Sequence, residues 1–136
     1  MSTAETMEGY LIRSGIEYDL VDEGLYVLHD DVEGVDNIAI HVMDPVVVFT
    51  VRLMDVPEDA EARCALYERL LSLNASDLVS GAYAIEAGSV IMTETLQAEN
   101  LDYNEFQAAV DTLTLAITEH YQELKKFHTA ANAANA

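Results

Sequence analysis

The chain is poor in positive charge. Six Lys and Arg stand against 25 Asp and Glu in 136 residues, a formal net charge of −19. Binding to nucleic acid needs cations that displace counterions from phosphate, so no nucleic-acid partner is expected. Anionic membrane surfaces are disfavoured for the same reason. Cysteine is nearly absent as well: Cys64 stands alone, which excludes an intrachain disulfide and gives no sign of an oxidising compartment. No apolar run approaches the roughly 18 residues that a membrane span requires. The start, Met1-Ser2-Thr3-Ala4-Glu5, has neither the basic region nor the apolar stretch of a secretory signal, and a cytoplasmic address is expected. Spaced chemical motifs are missing too. There is no CxxC, no HxH or HxxxH pair, no GxSxG and no glycine loop built to cradle phosphate.

What is present suits one globular domain. Half of the residues are apolar, and a chain of this length can bury about two-thirds of its unfolded surface. Ser2 with Glu5 reads as a capping box, Met7, Tyr10 and Leu11 repeat at helical spacing, and Gly15 stops that first helix. Strand texture follows at 18–21, 25–29, 38–43 and 46–54. Asp22-Glu23-Gly24 and Asp44-Pro45 supply turns, and Val46-Val47-Val48-Phe49-Thr50-Val51 reads as a central strand. A second helix is expected from Pro57 to about Leu73. Strands at 81–86 and 90–96 surround Ala87-Gly88-Ser89. A long last helix opens on Asp102 with Glu105 and carries Phe106, Ala109, Val110, Leu113, Ile117, Tyr121 and Leu124 on one arc. The order α-β-β-β-β-α-β-β-α gives an α+β fold, a twisted antiparallel sheet with helices packed mainly on one face. Residues 1–127 are expected to form the domain, and the Ala/Asn-rich 128–136 a disordered tail or an artificial extension.

The second helix carries more apolar surface than one packing face needs. Ala62, Leu66, Leu70 and Leu73 form one stripe; Cys64, Tyr67 and Leu71 form another about 150° around the wheel, at 100° per residue. Surplus apolar surface points to a partner or a second copy, and Cys64, Tyr67 and Leu71 are the expected dimer contacts. On the long strand Arg52 shares a face with Val46, Val48 and Thr50, and Glu94 shares one with Val90 and Met92. Each charge either keeps its head in water at a strand end or anchors an apolar binding face. Val48, Arg52 and Met92 are the expected contacts for a client.

Chemistry finds less support. Asp30-Asp31-Val32-Glu33-Gly34-Val35-Asp36 is the densest acidic cluster, but its spacing fails the calcium-loop pattern. His29 and His41 approach each other only if their strands pair suitably, and with His120 and His128 they read as structural or surface residues. Cys64 has no neighbouring base in sequence. No catalytic residue, cofactor or metal site is expected.

Four segments carry a family likeness: Val46-Val47-Val48-Phe49, Leu70-Leu71-Ser72-Leu73-Asn74, Gly81-Ala82-Tyr83-Ala84-Ile85, and Asn100-Leu101-Asp102-Tyr103-Asn104-Glu105-Phe106. With the element order they make the chain resemble the YbjN and type III secretion chaperone (CesT/Tir chaperone) superfamily, and YbjN-like proteins more than dedicated chaperones. The resemblance implies a small acidic homodimer with helix two at the interface. It also implies a non-enzymatic role, either as a regulator or as a chaperone-like domain that docks a basic or partly unfolded segment of another protein. The alternative is a sensor that binds a small ligand or metal through the acidic hairpin at Asp30–Asp36.

Overall fold

The computed structural model describes residues 2–29, 37–78 and 80–134, with side chains of the last helix described through His128. Helix α1 (Thr3–Ser14) begins where the Ser2 side chain accepts from the Glu5 amide and ends at Gly15, whose φ of 76° is a left-handed geometry open to glycine. Strands β1 (Tyr18–Asp22), β2 (Leu25–Leu28), β3 (Ile38–Met43) and β4 (Val46–Asp55) follow as an antiparallel meander. Helix α2 (Ala60–Ser76) then crosses to a second hairpin, β5 (Ala82–Glu86) and β6 (Ser89–Gln97), and α3 (Tyr103–Ala134) closes the chain. The sheet order is β1-β2-β3-β4-β6-β5, so β4 and β6 are central and β1 and β5 are edges.

Alternation sorts the strands into two faces. Phe49 lies opposite Ile40 and Glu94, and its ring packs on Phe106 of α3 at 5.9 Å between centroids. That face, with Leu28, Ile38, Ile40, Val47, Val51 and Met92 fully or almost fully buried, is the core. Val48, Thr50 and Arg52 point to the opposite face, where they are half-buried or exposed. The capping box expected at α3 is present in both directions: Glu105 N–H donates to Asp102 at 2.7 Å, and Asp102 N–H to Glu105 at 3.3 Å.

Several expectations change. The second helix starts at Ala60, capped by Asp59, not at Pro57, because the Asp59 carboxylate satisfies the Ala62 amide. The backbone of α3 stays helical to Ala134, beyond the expected boundary at Phe127. In the β2–β3 register His41 faces Leu25 and Ile38 faces Leu28. His29 thus lies four positions along from His41, about 13 Å at strand rise, and the two cannot share a metal. The acidic segment Asp30–Asp36 lies outside the described residues.

Candidate functional site

The two stripes of α2 meet different surroundings. Leu66, Leu70 and Leu73 are buried. Cys64 is exposed, Tyr67 half-buried, and Leu71 is 68% exposed. Beside them runs the edge strand β5. Tyr67, Leu70 and Leu71 of α2 and Tyr83, Ala84 and Ile85 of β5 line an open apolar groove of about 260 Å³. Ile85, at 41% exposure, stands across from Leu71 as its second uncovered aliphatic wall. The structure therefore brings Tyr67 and Leu71 together in one groove, with Cys64 on the same helical face a turn before Tyr67.

The edge strand is held by α2 itself. Tyr83 N–H donates to Asn74 Oδ1 at 2.7 Å, and Asn74 Nδ2 donates to the Tyr83 carbonyl at 3.1 Å. A sheet edge normally offers its backbone groups to another strand. Here the pair belonging to Tyr83 is already occupied, which favours docking of side chains into the groove over strand addition at that point. Nearby, Arg69 donates two bonds to Glu123 of α3 at 2.9 and 3.0 Å, tying the helices together, and that carboxylate raises the guanidinium pKa.

Beneath the groove lies a polar cluster around His120, a histidine expected in a structural or surface role. His120 is buried on α3, with Tyr83 Oη 2.7 Å from Nδ1 and Asp77 Oδ2 3.3 Å from Nε2. Burial drives the Tyr83 phenol pKa well above its usual range, with Glu119 next in effect. Ser76's hydroxyl, and after it His120, holds the Asp77 carboxyl below the ordinary carboxylate range. The signal was legible: His120 stands three residues after Ile117 and seven after Leu113, within the buried arc of α3.

The expected client contacts divide. Val48 and Arg52 do share the open face of the sheet. Arg52 donates to Ser89 Oγ at 2.9 Å and pairs with Asp55, whose carboxyl it holds below the usual range. Met92 does not join them. It lies opposite Val51 on the helix-covered face with no exposed surface, so it packs the core and cannot touch a client. Glu94 also faces the core, neither at a wet strand end nor on an open face. Its Oε2 is buried with no hydrogen-bond partner among the described residues. Among those residues no three His, Cys, Asp or Glu side chains converge as a metal would need, and no helix is long and apolar enough to cross a membrane.

The family model described as CesT_Tir_1 matches residues 1–130, and the chain belongs to that family. No curated protein matches it significantly. Among solved structures, the chain is similar to YbjN from E. coli at a TM-score of 0.66 and 16% identity, covering 88% of this chain and 91% of that one. It is similar to a chain of the heterodimeric ExoU–SpcU complex from the type III secretion system of Pseudomonas aeruginosa at 0.65 and 18%, covering 89% and 96%. A chain of the complex between the Yersinia pestis type III secretion chaperone SycH and a stable fragment of YscM2 matches at 0.58 and 11%, covering 90% and 99%. At these identities the likeness shows a shared fold, and the α+β chaperone-like architecture is that of this chain.

Proposed function

We propose that the chain is a non-enzymatic protein-binding module of the cytoplasm, a YbjN-like regulator or chaperone-like domain that docks a segment of a partner protein. The observation that carries association with another protein chain, a second copy first, is the uncovered groove between α2 and β5, where Leu71 and Ile85 stand in water on either side of an apolar floor. Removing large aliphatic and aromatic side chains from water contributes about 1.5–3 kcal/mol each, so the three large lining residues that still meet water, Tyr67, Leu71 and Ile85, make the groove a site for association. Scattered exposed leucines are ordinary on protein surfaces; a lined groove is not. The solved complexes named above, a heterodimer from a type III secretion system and a secretion chaperone bound to a fragment of another protein, support the same direction.

In this reading Cys64, Tyr67 and Leu71 form the contact between two copies, with Ile85 added from β5. The open sheet face around Val48 and Arg52 receives the client, and the acidic field of a chain with net charge −19 favours a basic one. The test uses two variants. Leu71→Asp is expected to leave a folded monomer by light scattering, where the wild type gives a dimer; an unchanged dimer mass removes the interface. Val48→Asp is expected to leave the dimer intact and lose a protein that the wild type retains on affinity capture. Equal retention removes the client face.

A further inference from the structure

We propose that Asp77, His120 and Tyr83 form a proton-responsive relay that passes the charge state of His120 to the wall of the α2–β5 groove; this rests on the reading of that groove as a docking site. The relay joins three elements. Asp77 caps the C-terminus of α2, His120 sits in the middle of α3, and Tyr83 belongs to β5. The Tyr83 ring lines the groove while its hydroxyl reaches His120. The two rings also meet edge to face, with centroids 5.8 Å apart.

The arrangement places every hydrogen in either charge state. With His120 neutral, Tyr83 O–H donates to Nδ1 and Nε2–H donates to Asp77. With His120 charged, Nδ1 becomes a donor and the Tyr83 oxygen must accept from it. The phenol hydrogen then turns to the Ala116 carbonyl, 3.4 Å from the same oxygen. Meanwhile the Nε2–H bond to the Asp77 carboxylate gains a charged donor and becomes an ion pair. Protonation therefore reverses one hydrogen bond at the groove wall and tightens another between α2 and α3. No buried donor or acceptor is stranded in the exchange.

Charged and titratable groups face His120 from each element packed against it. Glu119 Oε2 lies 3.9 Å from Nε2, so two carboxylates, from α2 and α3, face that nitrogen. From α2 and α3 respectively, Arg69 and Glu123 face the site already paired with each other. From β5 comes the Tyr83 phenol, which burial keeps protonated across the neutral range. A cavity of about 90 Å³ lined by Asp77, Leu78, Ala116 and Glu119 opens on the Asp77 side of the relay.

The test follows the full chain by NMR from about pH 8 to about pH 5, the span in which an imidazole changes charge. The His120 ring signals and the methyls of Leu71 and Ile85 are expected to move with one midpoint. In Tyr83→Phe, which keeps the ring and the net charge, the methyls are expected to stop following His120. The proposal is overturned if His120 keeps one charge state throughout, if the methyls stay still while it titrates, or if they follow it equally in Tyr83→Phe. Should that variant not fold, Asp77→Asn decides: removing the anion must lower the shared midpoint, and an unmoved midpoint overturns the relay. Where the wild type self-associates, its dissociation constant is expected to fall about five-fold more than that of Tyr83→Phe on acidification. A wild type monomeric at every pH would remove the docking reading, while the methyl coupling, measured on the monomer, still judges the relay.

Discussion

Leu70 and Leu71 are neighbours in sequence and opposites in environment. Leu70 is 4% exposed against the core, and Leu71 is 68% exposed on the wall of the groove. One turn earlier Leu66 and Tyr67 repeat the contrast, the first fully buried and the second half-buried. The helix thus carries two apolar stripes of similar chemistry but different employment. The inner stripe holds the fold. The outer one is left largely uncovered in the isolated protomer, and the proposed function gives it its value in contact with another chain.

Substitutions on the two stripes separate these roles. Leu66→Ala leaves a cavity in a packed core and is expected to cost about 2–5 kcal/mol, read as a large fall in Tm. Leu71→Asp is expected to change protomer stability by no more than about 0.5 kcal/mol, as at an ordinary surface position. Equal losses of stability from the two would break the comparison.

The seam between α2 and β5 comes next. Asn74→Ala strips the Tyr83 N–H and carbonyl of their partners and is expected to cost about 1–3 kcal/mol. The Tyr83 amide should then exchange its hydrogen faster than its neighbours on β6; unchanged exchange would show that the clamp is dispensable. In the core beneath, the effect should reverse sign. Glu94→Gln removes a charge whose Oε2 has no bonding partner among the described residues, and is expected to raise stability by about 1 kcal/mol in denaturant unfolding. A fall would mean that the carboxylate is better accommodated than its geometry indicates.

A last effect is confined to the alkaline limb. Folding raises the Tyr83 pKa, so its contribution is complete below the ordinary phenol value near 10. It is lost as pH climbs toward the higher folded value, because the unfolded chain ionises first. Tyr83→Phe should flatten the decline in stability above about pH 10. Tyr18 and Tyr26, whose pKa values folding also raises, leave a residual slope.

Much of this was legible in the sequence. The caps at Ser2 and at Asp102 with Glu105, the turn at Gly24 and the apolar arc of α3 are local signals, and local signals survive folding. The double stripe of α2 was legible for the same reason. Pairing was not. The sequence offers no means of knowing that Met92 and Glu94 lie opposite Val51 and Phe49, under α3, since register depends on the partner strand. The groove needed β5 beside α2, and the relay needed three elements brought together from positions 77, 83 and 120. Such contacts are set by topology, which residue spacing along the chain does not encode directly.

The central claim is that another protein chain covers the outer stripe of α2. Sedimentation equilibrium of the wild type beside Leu71→Asp tests it most directly. A wild-type dimer, with the variant folded and at monomer mass, is the result expected. Two species of equal mass at every concentration would contradict it.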